Sequence, residues 1–152
     1  MLNAREVIAR VTKLDAFKKM KESDFKLVVY NQDFTPAAGG VPTISTPQAF
    51  ANGAIILGIT AAACVPNSAT LPTGNNRQAF KVDFSYTGGE ALVVGGPVFA
   101  DALLGGGDQN IFPLKELILA PTQAILARVA NMTSGLLSVG IAYHCLTYRF
   151  AS

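Results

Sequence analysis

Nucleophilic or metal chemistry in this chain would fall first to its one histidine and two cysteines, which are His144, Cys64 and Cys145. A thiol attacks well when a base within hydrogen-bond reach takes its proton. His144 and Cys145 are neighbours in an apolar, strand-like stretch, and neighbours in a strand point to opposite faces. The two are therefore poorly placed as base and nucleophile, and a core or interface role is the expected one for each. Structural zinc takes four protein ligands and catalytic zinc three with a water; His144 with the two cysteines falls short of the closed set, and His144 and Cys145 point to opposite faces, so no metal is expected.

The carboxylates Asp83, Glu90, Asp101, Asp108 and Glu116 are scattered through turns and strand faces. Nothing in their spacing argues for the facing pair that glycoside hydrolysis requires, so they read as solvated surface acids. The glycine clusters at 88–89, 95–96 and 105–107 lack the Lys-Ser/Thr that completes a phosphate-binding loop, and none opens a long helix. They read as turns. Asn131-Met132-Thr133 matches a glycosylation sequon, which has meaning only in a secreted chain. No acid–base, nucleophilic or metal constellation emerges, and the expectation is a non-enzyme without a cofactor.

The elements that would carry these residues follow from periodicity. Residues 1–22 read as one amphipathic helix. Asn3 is a good N-cap with Glu6 three residues on, as in a capping box, and Leu2 and Val7 sit where a hydrophobic staple would place them. Ala4, Val7, Ile8, Val11, Leu14 and Phe17 recur at helical spacing. Lys18, Lys19 and Lys21 follow near the C-terminus, where they suit the helix dipole.

Residues 25–30 are rich in β-formers and predict a first strand. Residues 31–53 carry Pro36, Pro42, Pro47 and Gly39-Gly40, which excludes a central strand and predicts an extended arm. Short strands are then expected at 54–64, 78–86, 90–94, 111–119, 123–130 and 136–150, with a helical turn within 97–104. In 78–86, Phe80, Val82 and Phe84 alternate with Lys81, Asp83 and Ser85, the mark of a strand with one buried face. The last strand is apolar on both faces: Val139, Ile141, Tyr143 and Cys145 on one, Ala142, Leu146, Tyr148 and Phe150 largely on the other. Both faces should be covered, by the N-terminal helix or by a neighbouring subunit.

These elements predict a mainly β fold: a single antiparallel β-sandwich or jelly-roll-like domain. Its parts are an N-terminal helix (1–22), a first strand with a Pro/Gly-rich arm (23–53), and the sandwich body (54–152).

Charge is unusually sparse and uneven. Of 152 residues 14% are charged and 50% hydrophobic, against roughly a quarter charged in ordinary domains. Half of the charges lie in residues 1–26, and residues 34–76 have none. A free monomer stays soluble behind a mixed charged surface. A charge-poor body points to a surface covered by neighbours, with a neutral Ser/Thr/Asn/Gln surface as the alternative. A formal net charge of +2 announces no nucleic-acid partner, although Lys18–Lys21 is the one region where such contact is conceivable. The amphipathic N-terminus lacks the continuous apolar stretch of a secretory signal. The longest apolar run, 54–65, is shorter than the ~20 residues of a membrane-spanning helix. A soluble chain with buried free thiols from a reducing cytoplasm is expected.

Residues 77–86, 112–119, 127–133 and 140–149 together resemble, in strand rhythm and composition, small β-sandwich structural proteins of bacteriophage virions. The resemblance lies within about residues 77–150 and leaves out the N-terminal helix and the arm. It implies a virion component synthesised in host cytoplasm: a capsid shell, decoration or neck/vertex subunit without catalytic residues. Its partners would be copies of itself and other virion structural proteins, with no small-molecule substrate and no membrane. Val7, Val11, Leu14, Phe17, Tyr143 and Tyr148 are the expected assembly contacts. A glycan- or receptor-binding sandwich module is the competing class. That reading calls for exposed aromatics at loop tips, but the chain has no Trp and its four tyrosines lie in or beside expected strands.

Overall fold

The alternation of apolar and polar residues that predicts strands also decides which side chains meet in the core. The computed structural model describes residues 1–44, 48–50, 52–64, 79–87, 91–92, 96–104 and 115–149. Within them run β1 (Phe25–Phe34), β2 (Pro42–Ile44), β3 (Gln48–Ala49), β4 (Gly53–Cys64), β5 (Phe80–Tyr86), β6 (Val98–Phe99), β7 (Leu117–Leu119), β8 (Ala124–Asn131) and β9 (Ser138–Tyr148). Two α-helices, α1 (Ala4–Val11) and α2 (Ala100–Leu104), and a 3-10 turn at Glu22–Asp24 accompany them.

The strands form two antiparallel sheets. One has the order β1-β9-β4-β7; the other has the order β2-β8-β5-β6, with β3 also on β8. The pairing is nested. Strand β1 pairs with β9, β2 and β3 with β8, β4 with β7, and β5 with β6, as though one long hairpin had been rolled up. The β4–β9 and β5–β8 ladders then close the roll into two sheets. This is the strand order of a jelly roll.

Between the sheets lies the main core. Phe80, Val82 and Phe84 of β5 and Ile125, Ala127 and Val129 of β8 face Ile56, Ile59, Ile141 and Tyr143 of the other sheet. Each large apolar side chain so buried is worth about 1.5–3 kcal/mol. The C-terminal end of β9 is buried on both sides, because there its other face packs Leu146 and Tyr148 beneath the N-terminal segment.

That segment differs from the expected helix over 1–22. Asn3 caps it as the sequence requires, its Oδ1 accepting from the Arg5 and Glu6 amides at 3.0 and 3.2 Å. The α-helix nevertheless stops at Val11. Thr12 Oγ1 donates back to the Ile8 carbonyl at 2.8 Å, the competition that makes threonine a poor interior helix residue. The chain then tightens into i→i−3 bonds, Leu14 N to Val11 O, Phe17 N to Leu14 O and Met20 N to Phe17 O. This tightening carries Phe17 under the sheet's edge and turns Leu14 out to 48% exposure.

The arm is also shorter than expected. Strand β1 continues to Phe34, and residues from the arm form β2 and β3 along β8. Pro42 opens β2 at the border of its sheet, where a missing N–H costs no ladder bond. Around 97–104 a two-residue strand precedes the helical turn. At 90–94 only Ala91 and Leu92 are described; Ala91 makes a single bridge to Ser85. The expected strand residues 78, 111–114 and 150 lie outside the described residues, as do the glycines at 88–89, 95 and 105–107.

Candidate interaction surface

His144 and Cys145 stand on opposite faces of β9, as strand geometry demands. Cys145 is buried in the main core, with Sγ 3.5 Å from the Val28 carbonyl. Burial pushes its thiol up to about 12, so it is a neutral packing group at physiological pH. His144 faces outward, and its Nε2 lies 3.1 Å from Thr60 Oγ1. Desolvation lowers its pKa and favours the neutral ring. The side chain of Cys64 lies outside the described residues. Among the described residues no group of three or more His, Cys, Asp or Glu could hold a metal ion.

Two of the expected surface acids are structural instead. Asp83 sits opposite Arg128 in the β5–β8 ladder, and Arg128 Nε lies 2.9 and 3.1 Å from its two carboxylate oxygens, with Nη2 completing the fork. Glu116 takes a fork from Arg10, 3.2 Å from Nε and 2.9 Å from Nη2, which fastens α1 to the chain leading into β7. The Arg10 hydrogen bond holds the Glu116 carboxyl below its usual range. Asp101 lies in the first turn of α2; Glu90 and Asp108 lie outside the described residues.

The sequence-predicted assembly contacts are, with one exception, internal. Val7, Val11, Phe17 and Tyr148 pack with Phe25, Ile55, Leu57 and Leu146 in a second core outside the β1-β9-β4-β7 sheet. The Phe17 and Tyr148 rings meet edge-on at 4.9 Å. Tyr148 reaches across Gly53 of β4, where a Cβ would stand 2.0 Å from its ring, and donates its hydroxyl to the Leu119 carbonyl at 2.9 Å. Tyr143 is fully buried between the sheets and donates to Gln32 Oε1 at 2.7 Å. These five side chains are satisfied within the chain, and of the six only Leu14 is left exposed. Sequence periodicity identifies apolar faces; it does not say whether a face meets its own domain or a neighbour.

The surface that remains open is the other half of the same sheet's outer face. By register, Leu27, Val29, Asn31 and Asp33 of β1 share that face with His144, Ala142 and Gly140 of β9 and Thr60 and Ala62 of β4. Leu27 is 65% and Val29 50% exposed. Beside them a shallow open depression of about 320 Å³ crosses the three strands. Its floor is the small residues Gly140 and Ala142, with Asn31 and Asp33 on one side and Thr60 on the other. Strand β1 is also a border of its sheet.

Periodicity alone carried a signal for this surface, because residues 25–30 are apolar at odd and even positions alike. No helix among the described residues is long and apolar enough to cross a membrane. No protein-family model, curated protein or solved structure matches this chain.

Proposed function

We propose that this chain is a non-catalytic structural subunit of a viral particle that works by self-association. Capsid subunits, lectins and cupins share the jelly-roll strand order, so the fold alone selects none of them. The observation that carries the reading is the long border strand β1, which presents exposed Leu27 and Val29 beside a core already filled by its own side chains. The uneven charge supports it, since interface cores lose charged residues.

The position of the titratable groups supports the same reading. Cys145 is buried and neutral, and Asp83 and Glu116 are engaged by arginines that hold elements together. Sedimentation of the purified chain tests self-association, with dimers or larger species expected at micromolar concentration. Antibody against the chain should label intact particles; monomers throughout, and no particle carrying the antigen, would overturn the proposal.

A second reading, binding of a glycan or other small polar ligand, is favoured by the Asn31–Asp33–Thr60 lining of the depression. It predicts saturable glycan binding lost in Asn31→Ala and Asp33→Ala, with assembly unchanged.

A further inference from the structure

Sheet borders in this protein are managed very unequally. Among the described residues β7 has three residues and β6 two, and the border along β8 opens on Pro42 and is divided between β2 and β3. Short edges and prolines of this kind keep a border from pairing with another chain. Strand β1 has ten residues without a proline or glycine, and among the described residues β9 is its one partner strand.

The direction of its backbone groups can be read from two contacts. The carbonyls of Lys26 and Val28 lie 3.4 Å from Thr147 Oγ1 and 3.5 Å from Cys145 Sγ, both on β9. Even-numbered residues of β1 therefore turn their backbone groups toward β9. Direction alternates along an antiparallel ladder, so Leu27, Val29, Asn31 and Asp33 turn their N–H and C=O groups to the open border; Phe25 offers only its C=O there, because its N–H donates to the Glu22 carbonyl.

We propose that a second copy of this chain occupies that border, with the two β1 strands antiparallel about a two-fold axis at Val29. The inference rests on the self-association reading above and names its contact. Joining two sheets into one requires facing residues to lie on the same face, and an axis at Val29 meets that condition. It also engages the outward-turned groups of Leu27, Val29, Asn31 and Asp33 and the carbonyl of Phe25. Val29 meets its own copy, Leu27 meets Asn31, and Phe25 meets Asp33, which is the self-complementary pattern of an isologous interface.

Leu27 and Val29 of both strands then form one apolar patch, each shielding the next across the new ladder. The exposure of two large apolar side chains beside an open edge is thereby accounted for. Charge is compatible with that direction but adds little, because Lys26 and Asp33 lie on opposite faces of the strand. Lys26 and Asp33 are the only charged residues of β1 and stand near its opposite ends. Antiparallel pairing sets each Lys26 end alongside the other copy's Asp33 end, whereas parallel pairing would set like beside like.

Sedimentation, cysteine cross-linking and amide exchange on the full chain test the pairing. Facing residues in such a hydrogen-bonded pair have Cα atoms about 5.5 Å apart, within disulfide reach. In a Cys64→Ser background, Val29→Cys should link into covalent dimers on mild oxidation. Leu136→Cys, at a site 75% exposed in the turn before β9, should not. The amides of Leu27, Val29 and Asn31 should be protected in the assembled protein and lose protection on dilution. The double variant Leu27→Lys/Val29→Lys should weaken association about tenfold or more with an unchanged circular dichroism spectrum; if it fails to fold, the cysteine and exchange results decide. A wild-type assembly in which Val29→Cys links no faster than Leu136→Cys overturns this pairing and leaves self-association standing. A wild-type chain that stays monomeric, including one whose border takes only a foreign strand, overturns both.

Discussion

At the scale of single residues, burial has converted reactive groups into packing groups. Cys145 occupies the core between sheets, and its thiol is pushed up to about 12 by desolvation. In a Cys64→Ser background, a thiol reagent at pH 8 should react with Cys145 only at the rate of unfolding, and promptly once denaturant is added. Fast labelling of the native protein would return this thiol to the list of reactive groups. Asn131 is fully buried. Its Nδ2 donates to the carbonyls of Pro36 and Gly135, and its Oδ1 accepts from the Thr133 amide and hydroxyl. One side chain thus ties the arm to the β8–β9 turn, and the sequon match is incidental to this structural task. Asn131→Ala leaves those groups unpaired and should cost about 2 kcal/mol or more, measured by denaturant unfolding.

At the scale of elements, the N-terminal segment is a short helix followed by tightened turns, and the difference is testable side chain by side chain. Val11 is 1% exposed and Leu14 48%, although helical spacing alone puts them on one face. Val11→Asp should destabilise the protein by about 3 kcal/mol or more, because an unpaired carboxylate would enter the apolar second core. Leu14→Asp should stay within about 0.5 kcal/mol of wild type. Equal effects would mean that the helix continues through residue 14.

The Arg10–Glu116 fork adds a pH dependence to the same element. The folded pKa of Glu116 is depressed below its ordinary 4.5. Its contribution is therefore present above pH 4.5 and lost as pH falls through the lower folded value. Urea unfolding of wild type and Glu116→Gln should differ at pH 7 and converge in acid. The gap should be small, since Arg10 is half exposed.

At the scale of the whole molecule, the self-association proposed for this charge-poor body and its β1 border would rest on apolar and backbone contacts. Such contacts are screened little by salt, whereas contacts through Lys18, Lys19 and Lys21 would weaken steeply within a Debye length of about 10 Å at 0.1 M. The dissociation constant of the assembly should change less than about threefold between 0.1 and 0.5 M sodium chloride. A steep salt dependence would move the interface to the lysine-bearing turns. The double burial of the C-terminal end of β9 gives the molecule its layered order there: sheet, core, sheet, second core, helix. That arrangement leaves the half of the outer face beside β1 open, where the contact is proposed.

Much of this architecture was legible in the residues themselves, because local patterns carry it. Alternation along residues 80–86, apolarity on both faces of residues 138–148, the Asn3 cap and the prolines of the arm are each consequences of nearest-neighbour geometry. Together they determine a mainly β sandwich, whose last strand the fold covers on both faces only at its C-terminal end. The tertiary structure alone decided what covers what. Tyr148 reads as a contact residue until Gly53 and Leu119, distant in sequence, provide it with a seat and an acceptor. Asp83 and Glu116 read as surface acids until the fold brings Arg128 and Arg10 to them. Which strand lies at the border is likewise a property of strand order, since β1 and β9 are both long ladder-forming stretches and the roll gives β9 two partner strands and β1 one among the described residues. Periodicity records the direction in which a side chain points; partners far along the chain decide whether it meets its own core, an opposite charge or a second molecule.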